Sequence, residues 1–299
     1  MTMSLSLLPS TLGLLVQGET LSKRDTDVCS SNYHGSNEVH PGSPGPARSL
    51  SLDRGRVVKR QSGDNNELSV SELLERANRN LNPVQGGVQI QGDIAVSNSS
   101  DTDSCVQDGC KWPKSSDGNV YVPYVISNSY SSEHRGVITS AMNSISSSGC
   151  VRFIPRTTET DYIHIQSLDG CYSFVGRQGN AQTVSLNSND CIHFGIVQHE
   201  LLHVLGFHHE HRRSDRDQYV QVLLHNVLTG MENNFNKVNT LNEATPYDYN
   251  SIMHYHNRVF SKNMNPTLVA ASNSKVLGIV LRNLLSRDFN RTNLVYCSN

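Results

Sequence analysis

Residues 199–210 read HELLHVLGFHHE, and the rest of the chain is organised around them. On an α-helix, His199 and His203 are four residues apart and project from one face, so two imidazole nitrogens converge on one point. Glu200 lies beside them. The pattern HExxH is therefore typical of a zinc site that carries its own general base.

The same stretch predicts how the helix ends. Gly206 can adopt a left-handed conformation, and the reversed chain can then deliver His209 as a third ligand. The spacing from Gly206 favours His209 over the adjacent His208, and we expect His208 and His211 to be solvated or to support the ligands. Three histidines leave a tetrahedral zinc one open position for water, which is the catalytic pattern. Glu200 is placed to take the proton of that water as it attacks a carbonyl.

Length, charge and cysteine content limit the class of protein. A chain of 299 residues can hold a domain of about 200 residues with an appendage, and a net charge of -2 argues against nucleic acid as a partner. The seven cysteines contain no CxxC pair, which favours disulfides in an oxidising compartment over a structural zinc cluster. They lie at Cys29, Cys105, Cys110, Cys150, Cys171, Cys191 and Cys297, and Cys29 is the odd one out.

The first residues predict secretion. The apolar run from Leu5 to Val16 is too short to span a bilayer and fits the core of a signal peptide over residues 1–18, although the usual basic residue before it is missing. No other stretch approaches the length of a membrane span. We therefore expect a secreted, extracellular protein without stable membrane association.

Helices and strands alternate irregularly along the rest of the chain, and this predicts an α+β layout with the histidine helix packed on a twisted sheet. Residues 20–66 and 97–104 are rich in small polar residues and are expected to be disordered or exposed. Pro123 indicates an edge strand or a bend. The predicted helices cover 68–81, 132–145, 192–205 and a final stretch from 286; the predicted extended segments cover 88–94, 120–126, 151–154, 161–166, 182–186 and 277–285.

The pattern around the histidines extends well beyond HExxH. From His199 to Asp217 the chain reads HExxHxxGFxHExxRxDRD, with Arg213 and Asp215 in register. In this it resembles the astacin family of zinc metalloendopeptidases, and the resemblance covers almost all of 101–299. Within that family the chain is similar to the fish hatching-enzyme (choriolysin) and nephrosin type, because the extra pair Cys105-x4-Cys110 precedes the sequence KWPKSS.

The resemblance implies a fold and a set of roles. The fold is a metzincin-type protease of two subdomains, with a twisted mixed sheet, a zinc-binding active-site helix and a Met-turn. Glu200 is the general base, Met253 is the Met-turn residue, and Tyr255 is a further zinc ligand that can swing away and hydrogen-bond the oxyanion of the tetrahedral intermediate. One zinc ion per chain is held by His199, His203 and His209.

The resemblance also implies how the cysteines pair. Six cysteines allow fifteen pairings. The family pattern selects Cys150 with Cys297, Cys171 with Cys191, and Cys105 with Cys110.

The segment before the catalytic domain resembles a propeptide. The implied division is a propeptide over 19–100 and a catalytic domain over 101–299, with maturation close to Ser100 and Asp101. Family zymogens are held inactive by an aspartate of an FxGD motif that occupies the open zinc position. Residues 90–93 read IQGD, so Asp93 is the candidate inhibitory ligand, and the alternative is that Gly-Asp simply forms a turn.

The predicted function is hydrolysis of peptide bonds in protein substrates by a secreted, monomeric zinc endopeptidase made as a zymogen. Egg-envelope glycoproteins, as for a hatching enzyme, and matrix or immune substrates, as for a nephrosin-like enzyme, both stay open. A non-catalytic zinc-binding or matrix-binding homologue is disfavoured, because a purely structural site would not need Glu200. The chain departs from the family pattern at His256 and over 276–285, which leaves substrate preference open.

Overall fold

An eight-stranded mixed sheet forms the framework of the larger part of the molecule. The computed structural model describes residues 68–96, 110–239, 245–271 and 284–298. The strands lie in the order β1-β2-β3-β7-β8-β6-β4-β5. They are β1 (Val84–Gln85), β2 (Val88–Gln91), β3 (Ile94–Val96), β4 (Val120–Ile126), β5 (Val151–Pro155), β6 (Tyr162–Gln166), β7 (Cys171–Phe174) and β8 (Ala181–Leu186).

The sheet is mixed because only some of its neighbours run in the same direction. The pairs β3 with β7, β8 with β6, β6 with β4 and β4 with β5 are parallel, whereas β1 with β2, β2 with β3 and β7 with β8 are antiparallel. In β6, Ile163 and Ile165 are fully buried and alternate with partly exposed residues, as the period of a strand requires. Alternation of this kind gives the sheet one face that packs on the helices.

Pro123 lies in an interior strand rather than in an edge strand. β4 pairs with β5 over residues 120–124, but its pairing with β6 covers only Tyr124–Ile126. Proline has no N–H to donate, so it is tolerated where one side of the strand is outside the ladder. The edge-strand alternative was wrong, because β4 lies between β6 and β5, and the proline is tolerated because β6 pairs with β4 only from Tyr124 onward.

In the described residues four α-helices accompany the sheet, namely α1 (Val70–Asn78), α2 (Ser132–Ser146), α3 (Phe194–Val204) and α4 (Ser286–Tyr296). Serines begin two of them. Ser69 accepts from the N–H of Glu72 and the Glu72 side chain accepts in return, a capping box, while Ser131 accepts from the N–H of His134. Apolar residues of α2 and α3 pack with those of the central strands in one core.

A second, smaller core lies in the carboxyl-terminal part. A two-stranded antiparallel sheet pairs β9 (Val220–Val222) with β10 (Leu268–Ala270). Phe235, Tyr247, Tyr255 and Val259 pack against these strands in a cluster separate from the main core. These two cores are the larger of three apolar clusters in the described residues, and they agree with the two subdomains that the resemblance implies.

The predicted fold class is confirmed: the described residues form an α+β structure with the histidine helix packed in the core beside a mixed sheet. The sequence did not predict β1, β7, β9 or β10, and the helix predicted over 192–205 begins at Phe194. The predicted signal peptide, the segments 20–66 and 97–104, and most of the predicted strand 277–285 lie outside the described residues. Within the described ranges, no helix is both long enough and apolar enough to span a membrane.

Two disulfides join distant parts of the described chain. Cys171 pairs with Cys191, 20 residues away, and Cys150 pairs with Cys297, 147 residues away, which ties α4 to β5. Both pairings are those that the resemblance implies. The third implied pair includes Cys105, which lies outside the described residues, as does Cys29.

The longer of these two disulfides is expected to contribute more to stability. Replacing both Cys150 and Cys297 by Ala should lower the free energy of unfolding by about 5 kcal/mol, because cross-linking a longer loop removes more conformational entropy from the unfolded chain. The matched control replaces Cys171 and Cys191, with an expected loss of about 3 kcal/mol. Urea unfolding of the full chain measures both, and a larger loss in the control would contradict the entropic account.

Candidate metal centre and active site

Two histidines project from one face of α3. His199 and His203 are one turn apart, and their ring centroids are separated by 4.7 Å. Every residue from Gly195 to Val204 is buried, because the main apolar core surrounds the helix. The two imidazoles therefore lie deep in the molecule on a helix that is covered on all sides.

The chain reversal after α3 brings in a third histidine. Gly206 adopts a φ of +92°, which a residue with a β-carbon would resist, and its N–H donates to the carbonyl of His203 at 2.8 Å. The ring centroid of His209 then lies 5.3 Å from that of His199 and 4.7 Å from that of His203. The structure thus brings together all three histidines that were predicted as ligands.

A carboxylate from the amino-terminal segment points at the same place. Asp93 is only 2% exposed, in the turn between β2 and β3. Its Oδ2 atom lies 2.8 Å from Nε2 of His199, 3.1 Å from Nε2 of His209 and 3.6 Å from Nε2 of His203. Asp93 is 106 residues before His199 in sequence, yet its carboxylate meets all three rings.

The turn that carries Asp93 requires a glycine. Gly92 has a φ of +67°, and a β-carbon there would lie 2.8 Å from the hydroxyl oxygen of Tyr255. The backbone is anchored on the other side by the N–H of Ser173, which donates to the carbonyl of Asp93 at 3.1 Å. The Gly-Asp turn therefore does more than reverse the chain: it brings the backbone close to Tyr255 and the carboxylate of Asp93 close to the histidines.

Hydrogen bonds to backbone carbonyls set the tautomers of two ligand histidines. Nδ1 of His199 lies 2.9 Å from the carbonyl oxygen of Ile252, and Nδ1 of His203 lies 2.7 Å from that of Phe207. Because a carbonyl only accepts, each Nδ1 carries the proton and each Nε2 presents a lone pair. These lone pairs face an oxygen of Asp93, an arrangement that either a metal ion between them or a proton on a ring nitrogen stabilises.

The donor atoms fit a zinc ion. One donor atom from each of Asp93, His199, His203 and His209 lies within 4.8 Å of the other three. Burial lowers the pKa of His209 to about 3, which keeps that imidazole neutral. Nε2 of His203 is buried and has no hydrogen-bond partner among the described residues. Neutral imidazole nitrogens with one carboxylate oxygen are ligands that zinc takes in tetrahedral sites. The cluster consists of Asp93, His199, His203 and His209.

Glu200 is completely buried beside the ligands. The hydroxyl of Ser173 donates to its Oε2 atom at 2.8 Å, whereas its Oε1 atom has no hydrogen-bond partner among the described residues. Burial, and next the negative charge of Asp93, raise the pKa of the Glu200 carboxyl well above its ordinary value. A carboxyl with a raised pKa and one unpaired oxygen is suited to proton transfer.

Tyr255 lies over the third histidine. Its ring centroid is 4.3 Å from that of His209 and 4.2 Å from that of His211, and its hydroxyl is 3.4 Å from Oδ1 of Asp93. Burial, and next the charge of Asp93, raise the pKa of Tyr255 well above its ordinary value, so the phenol keeps its proton and can donate it in a hydrogen bond. His211 is fully buried, so it supports the site and is not solvated.

The turn around Met253 lies directly under the histidines. The carbonyl of Met253 accepts from the N–H of Glu210 at 2.9 Å, and the preceding carbonyl, of Ile252, is the one that meets His199. Ser251 donates to Oδ1 of Asp288 at 2.7 Å, which connects this turn to the start of α4. The turn therefore orients one ligand histidine through its backbone.

Helix α1 contacts the segment that follows Tyr255. Nε2 of His256 lies 2.8 Å from one oxygen of Glu75, and the N–H of Phe260 donates to the other oxygen at 2.8 Å. The hydroxyl of Ser71 accepts from the N–H of His256 at 3.1 Å. His256, at which the chain departs from the family pattern, is thus hydrogen-bonded to α1 through both its backbone and its side chain.

Ser173, Asp288 and Glu75 are contacts of the site that sequence reasoning missed. Each is a common polar residue at no recognisable spacing from the histidines. A weak signal exists only for Ser173, which lies in the apolar segment CYSF, where a buried serine needs a hydrogen-bond partner.

The sequence matches a known protein family. A family model described as Astacin, a peptidase family, matches residues 107–297, which include the whole stretch of histidines.

Individual proteins are similar over much of the chain. The low choriolytic enzyme of Oryzias latipes is 38% identical over 236 residues, which cover 78% of this chain and 86% of that enzyme. High choriolytic enzyme 2 of the same fish is 42% identical over 208 residues, covering 69% of this chain and 75% of that enzyme.

A solved structure has the same fold. High choriolytic enzyme 1 of Oryzias latipes, described as a hatching enzyme zinc-protease, superposes with a TM-score of 0.62 at 44% identity. The match covers 65% of this chain and 98% of that structure.

Proposed function

Because the chain belongs to the astacin family of metalloendopeptidases, we propose that it is a secreted zinc endopeptidase that is made as a latent precursor. One observation carries the proposal: three buried imidazoles and the carboxylate of Asp93 converge on a single point. The imidazoles belong to the catalytic domain, proposed to span 101–299, and Asp93 belongs to a propeptide proposed to span 19–100.

His199, His203 and His209 would hold the zinc ion. The chemistry that bound zinc supplies is Lewis acidity, which activates a water molecule and polarises the carbonyl of the scissile bond. Nδ1 hydrogen bonds to backbone carbonyls keep His199 and His203 oriented with Nε2 toward the centre. These contacts belong to α3 and its surroundings, so they persist when the amino-terminal segment is removed.

Glu200 is proposed as the general base. Its unpaired Oε1 accepts a proton from the attacking water and then delivers that proton to the leaving nitrogen of the peptide. The protonated phenol of Tyr255 donates a hydrogen bond to the oxyanion that forms on the substrate carbonyl. The raised pKa values of both groups support these roles, since both must carry a proton at some stage of the reaction.

Asp93 is proposed as the group that keeps the precursor inactive. Its carboxylate takes the position that water needs, close to the three Nε2 atoms. β3, which follows it, pairs with β7 at the edge of the catalytic sheet, and Glu75 of α1 binds the segment after Tyr255. The segment is therefore held both by the sheet and by the turn after Tyr255, and cleavage near Ser100 and Asp101 would release it.

Egg-envelope proteins are the proposed substrates. The supporting observation is the similarity to two choriolytic enzymes and to a hatching enzyme of Oryzias latipes. Secretion is proposed on the same basis, and the two disulfides of the described chain suit an extracellular protein. Isolated egg envelopes and a collagen matrix, offered at equal mass to the activated enzyme, distinguish the proposal: faster solubilisation of collagen would contradict it.

Removal of metal tests the proposed chemistry. Trypsin-activated protein should cleave casein, lose that activity on dialysis against 1,10-phenanthroline, and regain it when zinc is added, because the imidazoles alone cannot activate water. The control is dialysis against the non-chelating isomer 1,7-phenanthroline. Full activity in protein from which metal analysis shows that zinc has been removed would rule out the proposed mechanism.

A further inference from the structure

We propose that Ser173 is a positioning residue that holds Glu200 in its reactive orientation, an inference that rests on the proposed role of Glu200 as the general base. Ser173 lies in β7 and is fully buried. Its hydroxyl oxygen is 2.8 Å from Oε2 of Glu200 and 3.0 Å from the backbone carbonyl oxygen of the same residue. The side chain of Ser173 thus contacts Glu200 at two points.

The hydroxyl has one proton to donate, and in the ionised form that Glu200 must have to act as a base, its carboxylate is the better acceptor. A hydrogen bond to an ionised oxygen is roughly twice as strong as one to a neutral carbonyl, and the carboxylate oxygen is also the nearer of the two. Ser173 therefore fixes Oε2. A carboxylate bonded through one oxygen loses its freedom to rotate, so the orientation of Oε1 is fixed as well.

The other oxygen of Glu200 is kept available. Oε1 is buried and has no hydrogen-bond partner within the described parts of the chain. Buried polar atoms are normally paired, so an unpaired oxygen beside a ligand histidine is a feature that needs an explanation. The two oxygens having different roles explains it: Ser173 restrains Oε2, and Oε1 stays free to accept the proton of the water.

The contact does not depend on the amino-terminal segment. Within the described residues, the hydrogen bond from that segment to Ser173 involves the backbone, where the N–H of Ser173 donates to the carbonyl of Asp93. β7 is held separately by its antiparallel pairing with β8, in which Ser173 lies opposite Val184, and by the disulfide of Cys171. Ser173 therefore keeps its position against Glu200 after the segment is removed.

Ser185 of β8 offers a matched control. It is also fully buried in the same sheet, but its hydroxyl donates to the backbone carbonyl of Gly170 at 2.8 Å and does not meet a carboxylate. Ser173→Ala and Ser185→Ala each delete one buried hydroxyl and leave almost no cavity. Any loss of stability that comes simply from deleting a buried hydrogen bond should therefore be similar in the two variants.

The test compares kcat, KM, zinc content and thermal midpoint of the two variants with those of the wild type, using the trypsin-activated enzyme and a fluorogenic peptide. We expect Ser173→Ala to lower kcat by about 10-fold with KM unchanged, since a hydrogen bond to a charged group is lost. Its zinc content and thermal midpoint should match those of Ser185→Ala. Equal kcat in the two serine variants would overturn the proposal, and so would a fall in kcat that follows a loss of zinc or of thermal stability.

Glu200→Gln, measured in the same assay, separates this inference from the proposed function. If Glu200→Gln is inactive and Ser173→Ala behaves like Ser185→Ala, only the positioning role of Ser173 is wrong. If Glu200→Gln keeps full activity, Glu200 is not the base, and the role of Ser173 is overturned with it.

Discussion

Glu200→Gln should lower kcat of the activated enzyme for casein or peptide substrates by about 10²- to 10⁴-fold, the range that a general base contributes. Glutamine has nearly the same shape and can still accept from the hydroxyl of Ser173, but it cannot take a proton from water. The fold is therefore retained while the chemical step is lost. Steady-state kinetics of the purified variant, with trace wild-type contamination excluded, measures the effect.

Glu133→Gln is the matched control for this substitution. Glu133 is exposed in the first turn of α2, so the same chemical change there should leave kcat unaltered. Zinc content should be the same in both variants, because neither side chain belongs to the imidazole cluster. An activity of Glu200→Gln equal to that of Glu133→Gln would contradict the proposed mechanism.

Asp93→Ala should make the uncleaved chain active. Removing the carboxylate that lies 2.8 Å from His199 and 3.1 Å from His209 frees the position that water needs, so casein hydrolysis by the intact precursor should rise by about 10-fold or more. The rise should stop short of the activity of the trypsin-treated enzyme, because Glu75 still holds α1 against His256 and Phe260. Casein hydrolysis is followed together with electrophoresis, which verifies that the chain is uncleaved during the assay.

Two further variants control the latency experiment. Gln89→Ala alters an exposed residue in the same segment and should stay as inactive as the wild-type precursor. Combining Asp93→Ala with Glu200→Gln should abolish the new activity, which shows that it comes from this site and not from a contaminating protease. An intact Asp93→Ala chain that is as inactive as the wild type would exclude Asp93 as the group that maintains latency.

The local part of the site could be predicted from the sequence. His199 and His203 are four residues apart on one helix, so their convergence follows from helical periodicity. His209 follows from the reversal at Gly206, which is again a matter of a few neighbouring residues. Contacts between residues a few positions apart can be predicted from their spacing in the sequence, and the three histidines lie together in the structure as that spacing predicts.

Contacts between residues far apart in the sequence could be predicted only from the resemblance to the astacin family, and some could not be predicted at all. Asp93 meets His199 across 106 residues, and no local pattern connects a Gly-Asp turn with a distant helix. Ser173 and Asp288 are common polar residues whose importance comes from what the fold packs beside them. Their buried hydrogen bonds become visible only when the strands and helices are assembled.

The fold was predicted in class but not in detail. Long alternating segments such as β6 were recognised because one face is buried and the other is partly exposed. β7 was missed because its first three residues are all buried and therefore show no alternation, and β9 and β10 because each has only three residues. The edge-strand alternative for Pro123 was wrong because the sequence does not reveal at which residue the next strand begins to pair.

Metal analysis of the purified, trypsin-activated protein, from which the segment carrying Asp93 has been removed, tests most directly whether the three imidazoles form a zinc site. Activated wild-type protein should contain about one zinc per chain, and activated His203→Ala should lose it, because without the Asp93 segment only two protein ligands remain and three are the minimum for a catalytic site. His193→Ala is the matched control: that histidine is exposed at the start of α3 and should leave the zinc content unchanged. A wild-type protein purified without zinc that also fails to take it up, or a His203→Ala variant that retains it fully, would contradict the metal centre proposed for this chain.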